Sequence, residues 1–159
     1  MNDEDLAYLG LAMVCVQSME RSLVNVLAYV FPDRTRKSVE DLIAGLNRKT
    51  LGQLHHDLKG RVDMHEDLID LLDRVVEGRN TLAHRIFKLS RSPEDAILAS
   101  REVSIRVIDD CEMLSRIFTD LMMSFADAVG FKTVHDDEIQ EFIGHEVFGT
   151  AHNLFGRKP

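Results

Sequence analysis

Leu68-Ile69-Asp70-Leu71-Leu72-Asp73-Arg74-Val75-Val76-Glu77-Gly78-Arg79-Asn80-Thr81-Leu82-Ala83-His84-Arg85-Ile86 is the stretch that decides the fold. At 100° per residue, Leu68, Leu72, Val75, Leu82 and Ile86 fall on one stripe, the period of an amphipathic α-helix and not the alternation of a strand. One position on that stripe is wrong for a core. Arg79 stands near its centre, where a leucine is expected. On either side of this stretch the helical period recurs, and no convincing alternating strand interrupts it.

Upstream, Asn2-Asp3-Glu4-Asp5 supplies carboxylates suited to a helix N-terminus, and Phe31-Pro32-Asp33 ends the helix. Its seam is Leu6, Leu9, Met13, Val16, Glu20, Leu23, Leu27 and Val30, in alternating steps of three and four. Again one seam position is charged, Glu20. Ser38-Val39-Glu40-Asp41 opens a short helix, and Thr50-Leu51-Gly52-Gln53 reads as a capping box for another that closes at Gly60. Asp63-Met64-His65-Glu66 has the same logic and opens the helix of the quoted stretch. Downstream, Ser92 as N-cap and Pro93 at the first helical position start a last long helix. Its seam is Val107, Cys111, Leu114, Phe118, Leu121 and Phe125, and Gly130 is its stop. From about Lys132 a mixed tail begins, with a short amphipathic piece around residues 139–148. The expectation is all-α: an antiparallel bundle of about four main helices over residues 1–131, with short additional helices and a C-terminal arm over 132–159.

At 159 residues the chain is long enough for one domain with a real core. No secretory signal is visible, and charges interrupt every apolar run well before the ~20 residues a membrane span needs. Cys15 and Cys111 lie inside helical patterns and read as small buried hydrophobes in a reducing, cytoplasmic setting, neither a disulfide framework nor a metal site. A formal charge of −8 argues against bulk electrostatic coating of nucleic acid. Locally the sign reverses: Arg74, Arg79, Arg85, Lys88 and Arg91 face Glu77 alone between positions 74 and 91. That stretch is either a solvated helix face or a polyanion contact.

Arg79, Asn80 and His84 form the densest set of chemically useful groups. A guanidinium can stabilise a phosphorane, and an imidazole moves a proton near neutral pH. A buried Arg79 needs a counter-charge, and Glu20, equally misplaced, is the expected partner in an ion pair. Asn80 and His84, four apart, share the polar face. Arg79 and His84 are about 140° apart on an ideal helix, so one regular helix points them away from each other. Either Gly78 loosens the helix, or a second copy completes the site. A purely structural reading gives Arg79 a core ion pair and His84 no task.

Arg79-Asn80-x-Leu82-Ala83-His84 resembles the R-x4-6-H motif of HEPN domains (higher eukaryotes and prokaryotes nucleotide-binding), in which a polar residue, commonly asparagine, follows the arginine. The order of a long first helix bearing a glutamate, a short variable region, a motif helix and a long last helix is also similar, over about residues 3–130. The resemblance implies a metal-independent endoribonuclease without cofactors, often a toxin or defence effector, with a composite site in a homodimer. It implies that His84 acts as general acid or base, that Arg79 stabilises the phosphorane and that Asn80 orients one of them, leaving a 2′,3′-cyclic phosphate. Arg85, Lys88 and Arg91 would hold the RNA backbone. An antitoxin-like regulator is a further partner class. One toxin branch has a tyrosine two positions after the histidine, which its antitoxin nucleotidylates, and Ile86 stands there in this chain. Other HEPN domains are non-catalytic dimerisation or nucleotide-binding modules.

Two further patterns are weaker. His56-Asp57-Leu58-Lys59-Gly60 resembles the core of histidine phosphotransfer domains, but there the helix continues past the glycine, whereas here a fresh cap comes at Asp63. His55, His56 and His65, like His135, His145 and His152, lack regular metal-ligand spacing, so no metal site is expected. His135-Asp136 is similar to a metal-dependent phosphohydrolase dipeptide without its companion histidines. Met122-Met123 reads as core filling.

Overall fold

The computed structural model describes residues 3–33, 35, 38–85, 92–130 and 155–157. It is all-α in character, with five α-helices and one small pair of strands. The helices are α1 (Asp3–Asn25), α2 (Val39–Leu46), α3 (Leu51–Arg61), α4 (Glu66–Asn80) and α5 (Pro93–Ala128). Both α1 and α4 end in a π turn, Val26–Val30 and Thr81–Arg85 respectively. No helix among the described residues is long and apolar enough to cross a membrane.

Side-chain caps set most of the starts. Ser38 accepts from the Asp41 N–H, Thr50 and Gln53 form a reciprocal capping box, and Ser92 accepts from the Asp95 N–H ahead of Pro93. At the far end of α5, Gly130 takes φ +78°, the left-handed conformation that stops a helix. The start of α4 departs from expectation. Its N-cap is His65, whose Nδ1 accepts from the Asp67 N–H at 3.3 Å. Asp63 cannot serve because Val62–Met64 is extended as β1, paired antiparallel with β2 (Phe155–Arg157), Val62 opposite Arg157. The amphipathic piece expected over residues 139–148 lies outside the described residues.

The helix directions follow from side-chain register. Arg101, near the start of α5, meets Glu4 at 2.9 Å and Asp5 at 3.8 Å near the start of α1, and stacks on Tyr8. Ten residues further along both helices, Cys15 lies within electrostatic reach of Cys111 and Glu112. Hence α1 and α5 run parallel. α4 runs the opposite way: Arg74 binds Asp110, while Gly78 faces Val107 and Val103. The expectation of antiparallel neighbours rests on short connections between consecutive helices. It does not reach α1 and α5, which are the first and last and still make the most extensive packing in the fold.

Phe118, Met19, Leu23, Leu27, Leu72 and Leu114 are among the largest fully buried side chains. Each such side chain contributes about 1.5–3 kcal/mol by leaving water. The α5 seam packs as its sequence pattern expects, except that Phe125 is only half-buried. On α1 the buried line is rotated from the expected seam: it runs through Ala12, Val16, Met19, Leu23 and Leu27, while Leu6 is 46% exposed. Parallel packing of α5 on that flank produces the rotation and leaves Glu20 at the edge of the core. At its C-terminus α1 is tied down by Arg61, whose Nη1 donates to the carbonyls of Leu27 (3.0 Å) and Phe31 (2.7 Å). Those carbonyls belong to the unpaired end of a helix, and the cation also suits its dipole.

Candidate functional site

α4 buries Leu68, Leu71, Leu72 and Val75, and the π turn adds Leu82. On this arc Arg79 falls at the rim and is half-buried. The turn immediately after Asn80 decides the site. In Thr81–Arg85 the backbone adopts π geometry, in which hydrogen bonds span five residues and a turn holds about 4.4, so each step turns by about 80° instead of 100° and narrows the angle between Arg79, at the end of α4, and His84. Arg79 and His84 are five apart. Their side chains converge: Arg79 Nη1 is 3.5 Å from His84 Nε2 and donates to Asn80 Oδ1 at 3.4 Å. The three motif residues thus form one cluster, with Asn80 half-buried and His84 exposed.

The chemistry of the contact constrains the roles. A guanidinium only donates, so a hydrogen bond across this contact requires the tautomer with the lone pair on Nε2 and the proton on Nδ1. In that tautomer His84, an exposed residue, presents an acceptor. Beside it are a fixed positive charge and an amide, a set that can take a proton from a hydroxyl and hold an anion.

No family, curated protein or solved structure matches this chain. The site therefore stands on its own geometry.

Gly78 does not loosen the helix. A Cβ there would lie within 3.0 Å of Val107 Cγ2, so the glycine lets α4 and α5 approach closely. The rephasing comes after it, in the π turn. The direct Glu20–Arg79 ion pair is also not formed: among the described residues, Arg79 makes its contacts with Asn80 and His84. At the rim its charge keeps access to water and needs no buried counter-ion. Glu20 still feels it. Burial pushes the Glu20 carboxyl above its usual range, and the Arg79 charge opposes that rise.

Of the basic stretch, Arg74 pairs with Asp110 through two hydrogen bonds of 3.1 and 2.9 Å and stays exposed. The side chain of Arg85, and Lys88 and Arg91 entirely, lie outside the described residues. So do Ile86, His135, His145 and His152. His56 is exposed on α3, which ends at Arg61, one residue past Gly60. Among the described residues no group of three or more His, Cys, Asp or Glu is placed to hold a metal ion.

Two features escape a reading of the sequence. The π turn carries no propensity signal, and only the five-residue interval between two polar groups hints at it. His55 is buried between α3 and α4, with Nδ1 3.3 Å from Asp73 Oδ1 and no partner for Nε2 among the described residues. Burial first, then the Lys59 charge, lowers its pKa from 6.5, although Asp73 opposes this.

Proposed function

We propose that the chain is a metal-independent endoribonuclease of HEPN type, acting as a toxin or defence effector in the cytoplasm. The observation that carries this reading is the 3.5 Å approach of Arg79 Nη1 to His84 Nε2 within one chain. His84 Nε2 takes the proton of the ribose 2′-hydroxyl as its oxygen attacks the adjacent phosphorus. Arg79 stabilises the extra negative charge on the phosphorane, and Asn80 Oδ1 holds the guanidinium in place. The 5′-oxygen leaves with a proton from water or from a second copy, giving a 2′,3′-cyclic phosphate and a 5′-hydroxyl. A homodimer, RNA held by Arg85, Lys88 and Arg91, and an antitoxin-like regulator belong to the same proposal.

The second reading is a non-catalytic helical dimerisation or nucleotide-binding module of a HEPN-like bundle. It is favoured by the exposed apolar residues Leu11 and Val14 on α1 and Leu98 and Met113 on α5.

One experiment separates the two. The protein is incubated with RNA in EDTA beside His84→Ala and Arg79→Ala, and the ends of the products are analysed. The nuclease reading expects cyclic-phosphate ends, with His84→Ala slower by on the order of 10²–10⁴-fold. Arg79→Ala is a usable probe, because its side chain is half-buried and strands no direct ion-pair partner among the described residues. Absence of cleavage with every RNA tried, or full activity in His84→Ala, refutes the nuclease.

A further inference from the structure

The interval from Arg79 to His84 is one residue too long for an α-helix to bring the two together. In α register they diverge by about 140°, and the π turn, which begins at Thr81 after the α-helical Arg79 and Asn80, narrows that angle. The observed approach of 3.5 Å goes with the narrowed angle. A π turn is the rarer and wider ring, so its surroundings must hold it in place.

Those surroundings are visible. The Thr81 N–H still bonds to the carbonyls of Glu77 and Gly78, so helical bonding is intact up to the turn. Just before it, Val107 presses on the bare Cα of Gly78 and fixes the phase of α4 against α5. Leu82 is 7% exposed and anchors one side of the turn in the core. Ala83 and His84 are exposed, so the extra residue bulges toward solvent. Thr81 also lines an open cleft of about 230 Å³ between α4 and α5.

We propose that the Thr81–Arg85 π turn is the positioning element of the Arg79–His84 pair: π register assembles the pair, and relaxation to α register takes it apart. Gly78, Thr81 and Ala83 are then positioning residues that need not touch a substrate. This rests on the reading of that pair as the working one, so the test is made without RNA.

Arg79→His turns the pair into two imidazoles five residues apart, which can chelate Ni²⁺ together only if the π turn aligns them. Ni²⁺ affinity is measured by calorimetry for Arg79→His and for Arg79→His/His84→Ala, whose difference removes the background of the other native histidines. The expected result is binding tighter by roughly tenfold or more in the first. Deleting Ala83 in the Arg79→His chain leaves a four-residue spacing, which an α-helix aligns within about 40°, so the gain survives. Inserting an alanine after Ala83 leaves the pair about 120° apart, and the gain disappears. No difference between the two point variants overturns the proposal, as does a gain that the insertion leaves intact or the deletion abolishes. If either length variant fails to fold, the point variants decide alone. A clear gain, when the parent protein with Arg79 and His84 intact cleaves no RNA, refutes the nuclease and leaves the turn's role standing.

Discussion

Gly78 offers the sharpest check on how α4 sits against α5. A methyl group at this position would overlap Val107 Cγ2, inside the 3.0 Å that real Cβ contacts do not reach. Overpacking of this kind costs about 1–3 kcal/mol. Against it, alanine in a helix is worth ~0.5–1 kcal/mol more than glycine. Gly78→Ala is therefore expected to destabilise by a net of about 1 kcal/mol, where a site without the contact would gain stability. Val107 is 2% exposed, so Val107→Ala loses two buried carbons. That costs about 1.6 kcal/mol by transfer, and a cavity term brings it to about 2–3 kcal/mol.

The double variant is decisive. In Gly78→Ala/Val107→Ala the new methyl enters the space that the Val107 methyl vacates, so the clash and part of the cavity cancel. The pair is expected to cost less than the sum of the singles by about 1–2 kcal/mol. The assay is urea unfolding of the four proteins, monitored by far-ultraviolet circular dichroism at one pH. Additivity within about 0.5 kcal/mol would refute the close approach. So would a Gly78→Ala protein more stable than the parent.

Single contacts give the other perturbations. Arg61→Ala removes the two bonds to the Leu27 and Phe31 carbonyls and is expected to cost about 2 kcal/mol, which by size is a melting-point loss of roughly 4–8 °C; an unchanged melting point counts against it. Because His55 has its pKa lowered from 6.5 in the fold, its stability contribution is full above that value and is lost as pH falls through the folded pKa. Urea midpoints should thus drop from pH 7.5 to pH 5, and His55→Leu should flatten that part of the profile; a parallel slope in the variant excludes His55 as its source. Glu20, raised from 4.5, has the opposite sign: its stabilising protonated form is complete below 4.5 and is lost as pH rises through the folded pKa. Glu20→Gln is expected to be at least as stable as the parent at pH 7, and a clear loss there would show that the attraction to Arg79 outweighs burial. Ser92→Ala should cost about 1 kcal/mol through loss of the α5 N-cap, again read from the urea midpoint.

What the sequence makes legible is local. Ser38, Thr50 with Gln53, Ser92 with Pro93, and Gly130 mark helix ends through chemistry confined to one turn, and the α5 stripe repeats often enough to identify its buried face. Long-range choices are not written in that way. Three extended residues at Val62–Met64 make a strand only because Phe155–Arg157 pairs with them, and this moves the cap of α4 from Asp63 to His65. The parallel direction of α1 and α5 is a tertiary outcome, and with it come the rotation of the α1 seam and the retreat of Glu20 to the edge. The expected Glu20–Arg79 contact fails for that reason: a regular period puts both residues at the centres of their stripes, and in the fold each lies at a rim.

The motif shows the same boundary from the other side. Residue types and order pick out Arg79, Asn80 and His84, but a strict 100° period separates two of them and leaves a bent helix or a second copy as remedies. A single π turn achieves the convergence within one chain. The oligomer question is thereby decoupled from the geometry of the pair: a second copy would be needed to protonate the leaving group or to hold RNA, and not to bring Arg79 to His84. Mixing experiments can exploit this. If the composite site of a homodimer does the chemistry, an equimolar mixture of His84→Ala and Arg79→Ala should restore up to about a quarter of the parental activity overall, since about half of the dimers are mixed and each of those keeps one intact site of two. If the pair works within one chain, as its 3.5 Å contact implies, every mixed dimer lacks an intact pair and no activity returns.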